Sequence, residues 1–245
     1  MSKLHLHLRK RLEQTILKHG MLGEGDRVLV AVSGGADSLT LIKLLAGPLL
    51  FVPRPEYIIA VHVDLGFEGG DGDHSQRVES YFRQEGYNYR IEKTNIGLLA
   101  HSPYNRKASP CFLCSRLRRR RLFELARDYR CNKLALAHNK DDVIETFILN
   151  IFFAREISTM LPSQTYFKGE FNLIRPLAYI EESLLKRFAK EAQLPVLENR
   201  CPTAENSKRK YIKDILNKLE IEHRGLKENI FKSMKHVKPD YLLTK

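Results

Sequence analysis

The sequence predicts an α/β protein with a doubly wound parallel sheet of about five strands. Short β-rich runs alternate with stretches of helical periodicity through residues 1–150. This spacing leaves room for a crossover helix between successive strands, which parallel strands require. The first run, VLVAV at 28–32, is entirely apolar, as expected of a strand buried on both faces.

The individual elements follow in a regular order along the chain. Strands are predicted at 28–32, 57–63, 89–92, 133–137 and 172–175. Helices are predicted at 39–45, 74–85, 115–129, 141–153 and 181–193, with two basic helices in 205–245. The segment 65–74 contains four glycines and three acids, which predicts a mobile loop. We divide the chain into an N-terminal helix (1–25), an α/β domain (26–204) and a basic helical appendage (205–245).

Composition excludes several classes of protein. The chain has 245 residues and 43% hydrophobic residues, which excludes a wholly disordered chain. The longest nearly apolar run, 44–52, is broken by Pro48 and is far shorter than the roughly 20 residues that span a bilayer. The first residues lack the apolar core of a secretory signal. We therefore expect a cytoplasmic protein with no membrane partner.

The net charge of +12 is concentrated in three segments. Basic residues outnumber acids by five to one in 1–20, by seven to two in 111–130 and by eleven to six in 205–245. The rest of the chain is nearly neutral. This pattern favours a polyanionic partner, most simply nucleic acid, although solvated basic helix faces are the alternative.

A glycine-rich turn, SGGADS at 33–38, follows the first strand. It therefore lies at the carboxyl edge of the sheet, where α/β folds bind ligands. Two glycines allow backbone N–H groups to approach a phosphate, and the positive end of the next helix faces the same anion. Asp37 fits if it caps that helix or holds a magnesium ion. The alternative is a plain turn with an N-cap, which does not explain the two flanking serines.

The segment SGGADS after VLVAV resembles the PP-loop of the ATP pyrophosphatase family. The segments LAHNKDD (136–142) and RPL (175–177) are similar to two further motifs of that family. PCFLCSRLRR (110–119), NIF (150–152) and Cys201 resemble the tRNA 2-thiocytidine synthetase branch, and the match covers about residues 8 to 215. The chain departs from this branch at Ala36, Asn139 and Glu198, where Lys, His and a further Cys are usual.

The resemblance implies a PP-loop ATPase domain in 26–204 that cleaves ATP between its α and β phosphates and transfers AMP to an oxygen. The expected ATP-binding residues are Ser33, Gly34, Gly35, Asp37, Ser38, Asp64, His138 and Arg175. Asp37, Asp141 and Asp142 are the catalytic candidates. Either of the last two could bind magnesium, position the base or cap the following helix. His138 could equally fill the strand end, and Arg175 is a candidate for phosphate or base contact.

Three of the four cysteines form a pattern. Cys111 and Cys114 stand at a helix start, where the helix dipole favours thiolates, and Cys201 lies in a later loop. Three cysteines can hold a [4Fe-4S] cluster and leave one iron free to bind sulfide, and the resemblance implies this ligand set. A zinc knuckle and inert thiols are the alternatives. Cys131 is predicted to be a small core residue.

These expectations combine into ATP-dependent tRNA thiolation. The resemblance implies that the C2 oxygen of cytidine 32 in the anticodon loop is adenylated and then displaced by sulfide. ATP, magnesium and the cluster are the expected cofactors. The expected partners are tRNA and a sulfur donor, either sulfide or a cysteine desulfurase, and a homodimer is kept as a candidate oligomeric state. The alternatives are a tRNA lysidine synthetase-type ligase, which leaves the cysteines unexplained, and a zinc-knuckled RNA-binding protein without activity.

Overall fold

A six-stranded sheet lies at the centre of the protein, whose computed structural model describes residues 2–49, 51–67, 74–105 and 109–243. The strands are β1 (Arg27–Ala31), β2 (Tyr57–Asp64), β3 (Asn88–Lys93), β4 (Lys133–Ala135), β5 (Ser163–Tyr166) and β6 (Phe171–Ile174). Their order across the sheet is β3-β2-β1-β4-β6-β5. All neighbouring strands are parallel except β5 and β6, which are antiparallel.

Helices connect and flank these strands. They are α1 (Lys3–Lys18), α2 (Ala36–Ala46), α3 (His74–Gln84), α4 (Ile96–His101), α5 (Pro110–Asp128), α6 (Lys140–Phe153), α7 (Glu182–Glu191), α8 (Lys208–Glu222) and α9 (Leu226–Ser233). In the part of the chain that the structure describes, no helix is both long enough and apolar enough to cross a bilayer.

Strand β1 fixes the position of the site because the order of strands reverses there: β2 and β3 lie on one side of β1, and β4 lies on the other. Leu29 of β1 is aligned with Ile59 of β2 on one side and with Leu134 of β4 on the other. The loops that leave β1 and β4 therefore diverge at a topological switch point. The crevice outside the carboxyl ends of such strands is where α/β folds bind ligands.

Apolar side chains cover both faces of the sheet, as a doubly wound fold requires. On one face α1, α2 and α7 supply Leu8, Leu12, Leu41 and Phe188, and on the other α5 supplies Leu122. Each fully buried leucine contributes about 1.5–3 kcal/mol to folding. A third cluster joins α8 and α9 to α6 through residues that include Ile212, Phe231 and Ile144.

The predicted fold class is confirmed, with one strand and one helix more than the sequence predicted. Strand β5 was missed because SQTY lacks apolar alternation and forms a short antiparallel edge. Helix α4 is only six residues long, and α5 begins at Pro110 rather than at 115. The predicted loop at 65–74 falls largely on 68–73, outside the described residues. The division at residues 25 and 205 stays a prediction.

Candidate active site

The glycine loop 33–38 joins β1 to α2 and is closed by its own serine. The Ser38 hydroxyl accepts from the Ser33 N–H at 3.1 Å and donates to the Gly35 carbonyl at 2.9 Å. Gly34 has a φ of +88°, a left-handed conformation that glycine adopts without strain. Ser38 is buried whereas Ser33 is exposed, so Ser33 is the serine available to a ligand. The first-turn N–H groups of α2 complete a cradle suited to phosphate.

Asp37 stands in the first turn of α2 with half of its carboxyl group unsatisfied. Its Oδ2 accepts a hydrogen bond from the Asn139 side-chain amide at 3.0 Å. Its Oδ1 is buried and has no hydrogen-bond partner among the described residues. Burial, with Asp142 and Glu182 nearby, raises the pKa of Asp37 to about 7. A buried orphan oxygen is costly, and a cation bound there would remove the cost.

Asn139 connects this carboxyl group to the start of α6. It is the N-cap of α6, and its Oδ1 accepts from the Asp142 N–H at 3.0 Å. The Asp142 carboxylate in turn accepts from the Asn139 N–H at 2.9 Å, which completes a capping box. In the sequence, Asn139 stands out only as a departure from the related branch. The spacing Asn-x-x-Asp was the signal that could have identified its role.

The two adjacent aspartates have separate surroundings. Asp142 pairs with Arg209, and although that arginine lowers its pKa, burial has the larger effect and keeps the pKa above the usual range. Asp141 instead accepts from Lys227 at 2.8 Å and from the Glu182 N–H at 2.9 Å. Burial raises the pKa of Asp141, but these two hydrogen bonds outweigh it and bring the pKa below its usual value. Asp142 therefore lies beside Asp37, whereas Asp141 is engaged by α7 and α9.

His138 and Arg175 meet at the ends of β4 and β6. The Arg175 Nε donates to His138 Nδ1 at 3.1 Å, so the imidazole proton resides on Nε2. Burial and the nearby Arg175, Arg209, Arg118 and Arg119 lower the pKa of His138 to about 3. His138 is therefore neutral at pH 7. The arginines around this neutral histidine give the region a positive potential, which favours the binding of anions.

Asp64 ends β2 and orders the chain that follows it. Its carboxylate accepts from the Ser75 hydroxyl at 2.6 Å and from the Gly66 N–H at 2.9 Å. Burial raises the pKa of Asp64, but these hydrogen bonds outweigh it and bring the pKa below its usual value. Asp64 thus lies at the expected sheet edge, with its side chain occupied by the neighbouring loop. Its predicted role toward the nucleotide stays a prediction.

Cys111, Cys114 and Cys201 come together at the N-terminus of α5. Helices α4 and α5 cross over from β3 to β4, so α5 begins at the carboxyl edge of the sheet. Cys111 Sγ and Cys201 Sγ lie 3.7 and 3.5 Å from the Thr203 hydroxyl. Burial raises the pKa of Cys114, Arg118 lowers it, and the neighbouring Cys201 and Cys111 raise it again. Nothing in the sequence pattern had drawn attention to Thr203.

Three cysteines are a donor set that suits an iron–sulfur cluster, whereas a structural zinc usually has four protein ligands. Within residues 2–49, 51–67, 74–105 and 109–243, no group of three or more His, Cys, Asp or Glu side chains could hold a metal ion. Zinc needs its ligands around one ion, whereas a cluster distributes cysteines over several irons. Cys131, by contrast, is buried in the core, as predicted, and burial raises its pKa to about 11.

The sheet order, the glycine loop and the partly buried Asp37 define an α/β ATP-binding protein of the PP-loop class. A family model described as a PP-loop domain matches residues 4–220. The tRNA-cytidine(32) 2-sulfurtransferase of Geotalea uraniireducens is 36% identical over 99% of this chain and 96% of its own length. That of Geobacter sulfurreducens is 35% identical over 96% of this chain and 91% of its own. The chain therefore belongs to the PP-loop family, within its tRNA-cytidine(32) 2-sulfurtransferase enzymes.

Solved structures agree with this assignment. The U34-tRNA thiolase NcsA from Methanococcus maripaludis, solved with its [4Fe-4S] cluster, has a TM-score of 0.77 and 25% identity, covering 96% of this chain and 80% of that one. An NH3-dependent NAD synthetase from Campylobacter jejuni has a TM-score of 0.53 and 15% identity, covering 96% and 93%. The second likeness shows only that the fold is shared.

Proposed function

We propose that this protein catalyses the ATP-dependent 2-thiolation of cytidine 32 in tRNA. One observation carries the proposal: the three cysteines Cys111, Cys114 and Cys201 converge at the sheet edge that also holds the glycine loop and the unsatisfied carboxylate of Asp37. The glycine loop and Asp37 suit the binding of ATP phosphates, and the three cysteines suit the transfer of sulfur. The curated relatives carry the name of this activity.

The reaction balances as two displacements. The C2 oxygen of the cytosine attacks the α-phosphorus of ATP, and the bond to the β-phosphate breaks, so pyrophosphate leaves. Sulfide then attacks C2 with its electron pair, the C2–O bond breaks, and AMP leaves with the original oxygen. Adenylation is needed because a carbonyl oxygen is a poor leaving group, whereas a phosphate ester oxygen is a good one.

The phosphate half of the site binds and orients ATP. The N–H groups of the glycine loop, the Ser33 hydroxyl and the N-terminus of α2 face the phosphates. Asp37 Oδ1 is the oxygen available to a magnesium ion, which prefers carboxylate ligands. The Asn139 amide fixes the orientation of that carboxylate, so Asp37 presents Oδ1 and not Oδ2. Asp142, Arg175 and His138 line the adjoining side.

The cysteine half of the site would hold a [4Fe-4S] cluster through Cys111, Cys114 and Cys201. A cluster with three protein ligands supplies an iron that can carry sulfide. The sulfur itself comes from a donor, sulfide or a cysteine desulfurase. We expect the enzyme to work in the cytoplasm, with a homodimer as the candidate assembly.

The surface around the site suits an RNA loop. Arg119 is exposed on α5 and has no ion pair among the described residues. Phe112, Phe152 and Phe153 are exposed by 59%, 56% and 42%, and Lys208 lies 4.5 Å from the centre of the Phe153 ring. Cations bind RNA phosphates and aromatic rings stack on unpaired bases. The target base must leave its stack to reach the α-phosphate of ATP at the glycine loop, and such a surface would hold it.

The direct test measures three products in one assay. Anaerobically prepared protein is given ATP, sulfide and tRNA, and we expect AMP, pyrophosphate and 2-thiocytidine in equal amounts. Asp37→Ala should abolish pyrophosphate release while retaining iron. The matched control is Asp128→Ala, an exposed aspartate that pairs with Arg127, and it should behave as wild type. Pyrophosphate release that depends on lysine rather than sulfide would replace the proposal with a lysidine-type reaction. A colourless, zinc-containing protein without ATP turnover would overturn it.

A further inference from the structure

The Thr203 hydroxyl lies between two cysteines that come from different parts of the chain. Its distances are 3.7 Å to Cys111 Sγ on α5 and 3.5 Å to Cys201 Sγ in the loop after α7. Both are within the range of hydrogen bonds to sulfur. The two sulfur atoms can therefore be no further apart than the sum of these distances, and a single oxygen atom connects them.

His101 holds this hydroxyl from the other side. Its Nδ1 lies 2.9 Å from the Gly97 carbonyl, which can only accept, so Nδ1 carries the proton. Its Nε2 then faces the Thr203 hydroxyl at 3.1 Å and Cys201 Sγ at 3.9 Å. The imidazole ring also packs against Phe67 in a T-shaped arrangement, with the ring centres 5.4 Å apart. The ring is thus fixed at the end of α4 before anything binds to the cysteines.

The hydroxyl has one proton and two lone pairs, so its role depends on its neighbours. Toward a thiol it accepts the S–H and can give its own proton to His101 Nε2. Toward a thiolate it can donate instead, since a thiolate only accepts. As thiols, Cys111 and Cys201 can both donate to the two lone pairs of this oxygen, which keeps them in one arrangement; as thiolates, only one of them can accept its single proton. Partners of this kind, next to metal ligands, typically change metal affinity by 10–100-fold.

We propose that Thr203 and His101 are positioning residues of the three-cysteine centre, which they preorganise by holding Cys111 and Cys201 at one hydroxyl. This inference rests on the proposed function, because it assumes that the cysteines receive a cluster. It assigns a role to two residues that lie outside the cysteine pattern and outside the ATP site. Helix α4 and the 199–206 loop then belong to the centre as much as α5 does.

The test removes the Thr203 hydroxyl and keeps the shape of the side chain. Thr203→Val is nearly isosteric, Thr203→Ser restores the hydroxyl, and Thr165→Val on the exposed edge strand β5 is the matched control. Each protein is reconstituted anaerobically, and the rate at which EDTA removes iron is measured together with the EPR spectrum of the reduced protein. We expect Thr203→Val to lose iron about tenfold faster or more, with a changed spectrum. Thr203→Ser and Thr165→Val should match wild type.

A variant of His101 provides a second test of the same proposal. His101→Phe keeps an aromatic ring against Phe67 and removes both nitrogens. It should also speed iron loss, and the effects of His101→Phe and Thr203→Val should not add in the double variant, because His101 acts mainly through Thr203 and contacts Cys201 Sγ only at 3.9 Å. Thermal unfolding checks that each variant is folded. If wild type holds iron and Thr203→Val releases it at the same rate with the same spectrum, this inference is overturned and the proposed function stands. If wild type holds no iron, both fail.

Discussion

Leu197 contacts Gly34 through both its backbone and its side chain. The Leu197 N–H donates to the Gly34 carbonyl oxygen at 2.9 Å. A Cβ on Gly34 would lie 2.5 Å from Leu197 Cδ1, so the leucine occupies the space that only glycine leaves open. Cys201 follows Leu197 by four residues. The phosphate loop and the cysteine centre are thus joined by a short stretch of backbone, so a change at Cys201 should affect the glycine loop.

Gly34→Ala should disable the phosphate loop through this contact. A φ of +88° strains any L-residue by about 1–2 kcal/mol, and the overlap with Leu197 adds about 1–3 kcal/mol more. We expect lower stability and loss of ATP turnover. The matched control is Gly25→Ala, with a φ of +75° and no atom within 4 Å of the added carbon. It carries the backbone strain without the overlap. Thermal unfolding and pyrophosphate release measure both effects.

Leu197→Ala in the Gly34→Ala background separates strain from overlap. Shortening the leucine removes the clash but not the left-handed φ, so the double variant should recover part of the lost stability. If Gly34→Ala were no worse than Gly25→Ala in both assays, the Leu197 contact would have no energetic weight.

Asp37 should make the unliganded protein less stable as the pH rises. Its pKa in the folded state is about 7, above the usual value of a carboxyl group, so folding favours the protonated form. That contribution is complete below pH 4 and is lost as the pH rises to 7. At about 1.4 kcal/mol per pH unit, the ionised form costs on the order of 4 kcal/mol. Asp37→Asn should remove this dependence and be the more stable protein at pH 8.

The measurement is urea unfolding between pH 4 and 8, without ATP or magnesium. Burial lowers the pKa of His138 to about 3, and its protonation acts in the opposite sense over pH 3–6.5. This contribution is common to wild type and variant, so the difference between the two curves isolates Asp37. The exposed Asp128→Asn should leave the curve unchanged. A constant difference between wild type and Asp37→Asn would contradict the assignment.

Binding of tRNA should weaken steeply as the salt concentration rises. Arg119 should account for part of the slope of the logarithm of the binding constant against the logarithm of the salt concentration. Each phosphate contact contributes about one unit to the log–log slope. Arg119→Ala should therefore reduce the slope by about one. Arg127→Ala, an exposed arginine near the other end of α5 that pairs with Asp128, is the control. Equal slopes for the two variants would place RNA elsewhere on the protein.

The sequence predicted the parallel sheet, and it indicated that the glycine loop follows its first strand, because both are local signals. A fully apolar run identifies β1. A glycine turn that follows this strand must lie at the carboxyl edge of the sheet. What the sequence could not show were contacts between distant segments. Leu197 on Gly34 and Thr203 on Cys111 have no periodicity or spacing to reveal them.

The sequence also could not show which basic residues are paired with acidic residues in the fold. Lys208, Arg209 and Lys210 are equivalent in the sequence, as members of one basic segment. In the structure Arg209 pairs with Asp142 and Glu145, and Lys210 pairs with Asp214, so only Lys208 remains beside the exposed Phe153 ring. Reversal of all three charges would therefore disturb the site as well as RNA binding. Single substitutions are needed instead.

Serine substitution should divide the four cysteines into three ligands and one core residue. Cys111→Ser, Cys114→Ser and Cys201→Ser should each lose most of the bound iron and all thiolation, because serine keeps the size of cysteine but is a poor ligand for such clusters. Cys131→Ser should keep both, since Cys131 is buried in the core just beyond the C-terminal end of α5, whereas Cys111 and Cys114 lie at its N-terminal end. It should lose about 1–3 kcal/mol of stability from burying a hydroxyl.

ATP binding distinguishes the three ligand cysteines from one another. Cys111 and Cys114 lie on α5, so their variants should bind ATP as wild type does. Cys201 lies on the segment that Leu197 attaches to the glycine loop, so Cys201→Ser should also weaken ATP binding. Iron analysis, visible absorbance and ATP titration under anaerobic conditions measure the iron content, the cluster and the ATP affinity of each variant.

If Cys131→Ser removed the iron and Cys201→Ser did not, the ligand set would be wrong. If all four cysteines were required, no iron would be left open, and delivery of sulfide from the cluster would have to be abandoned.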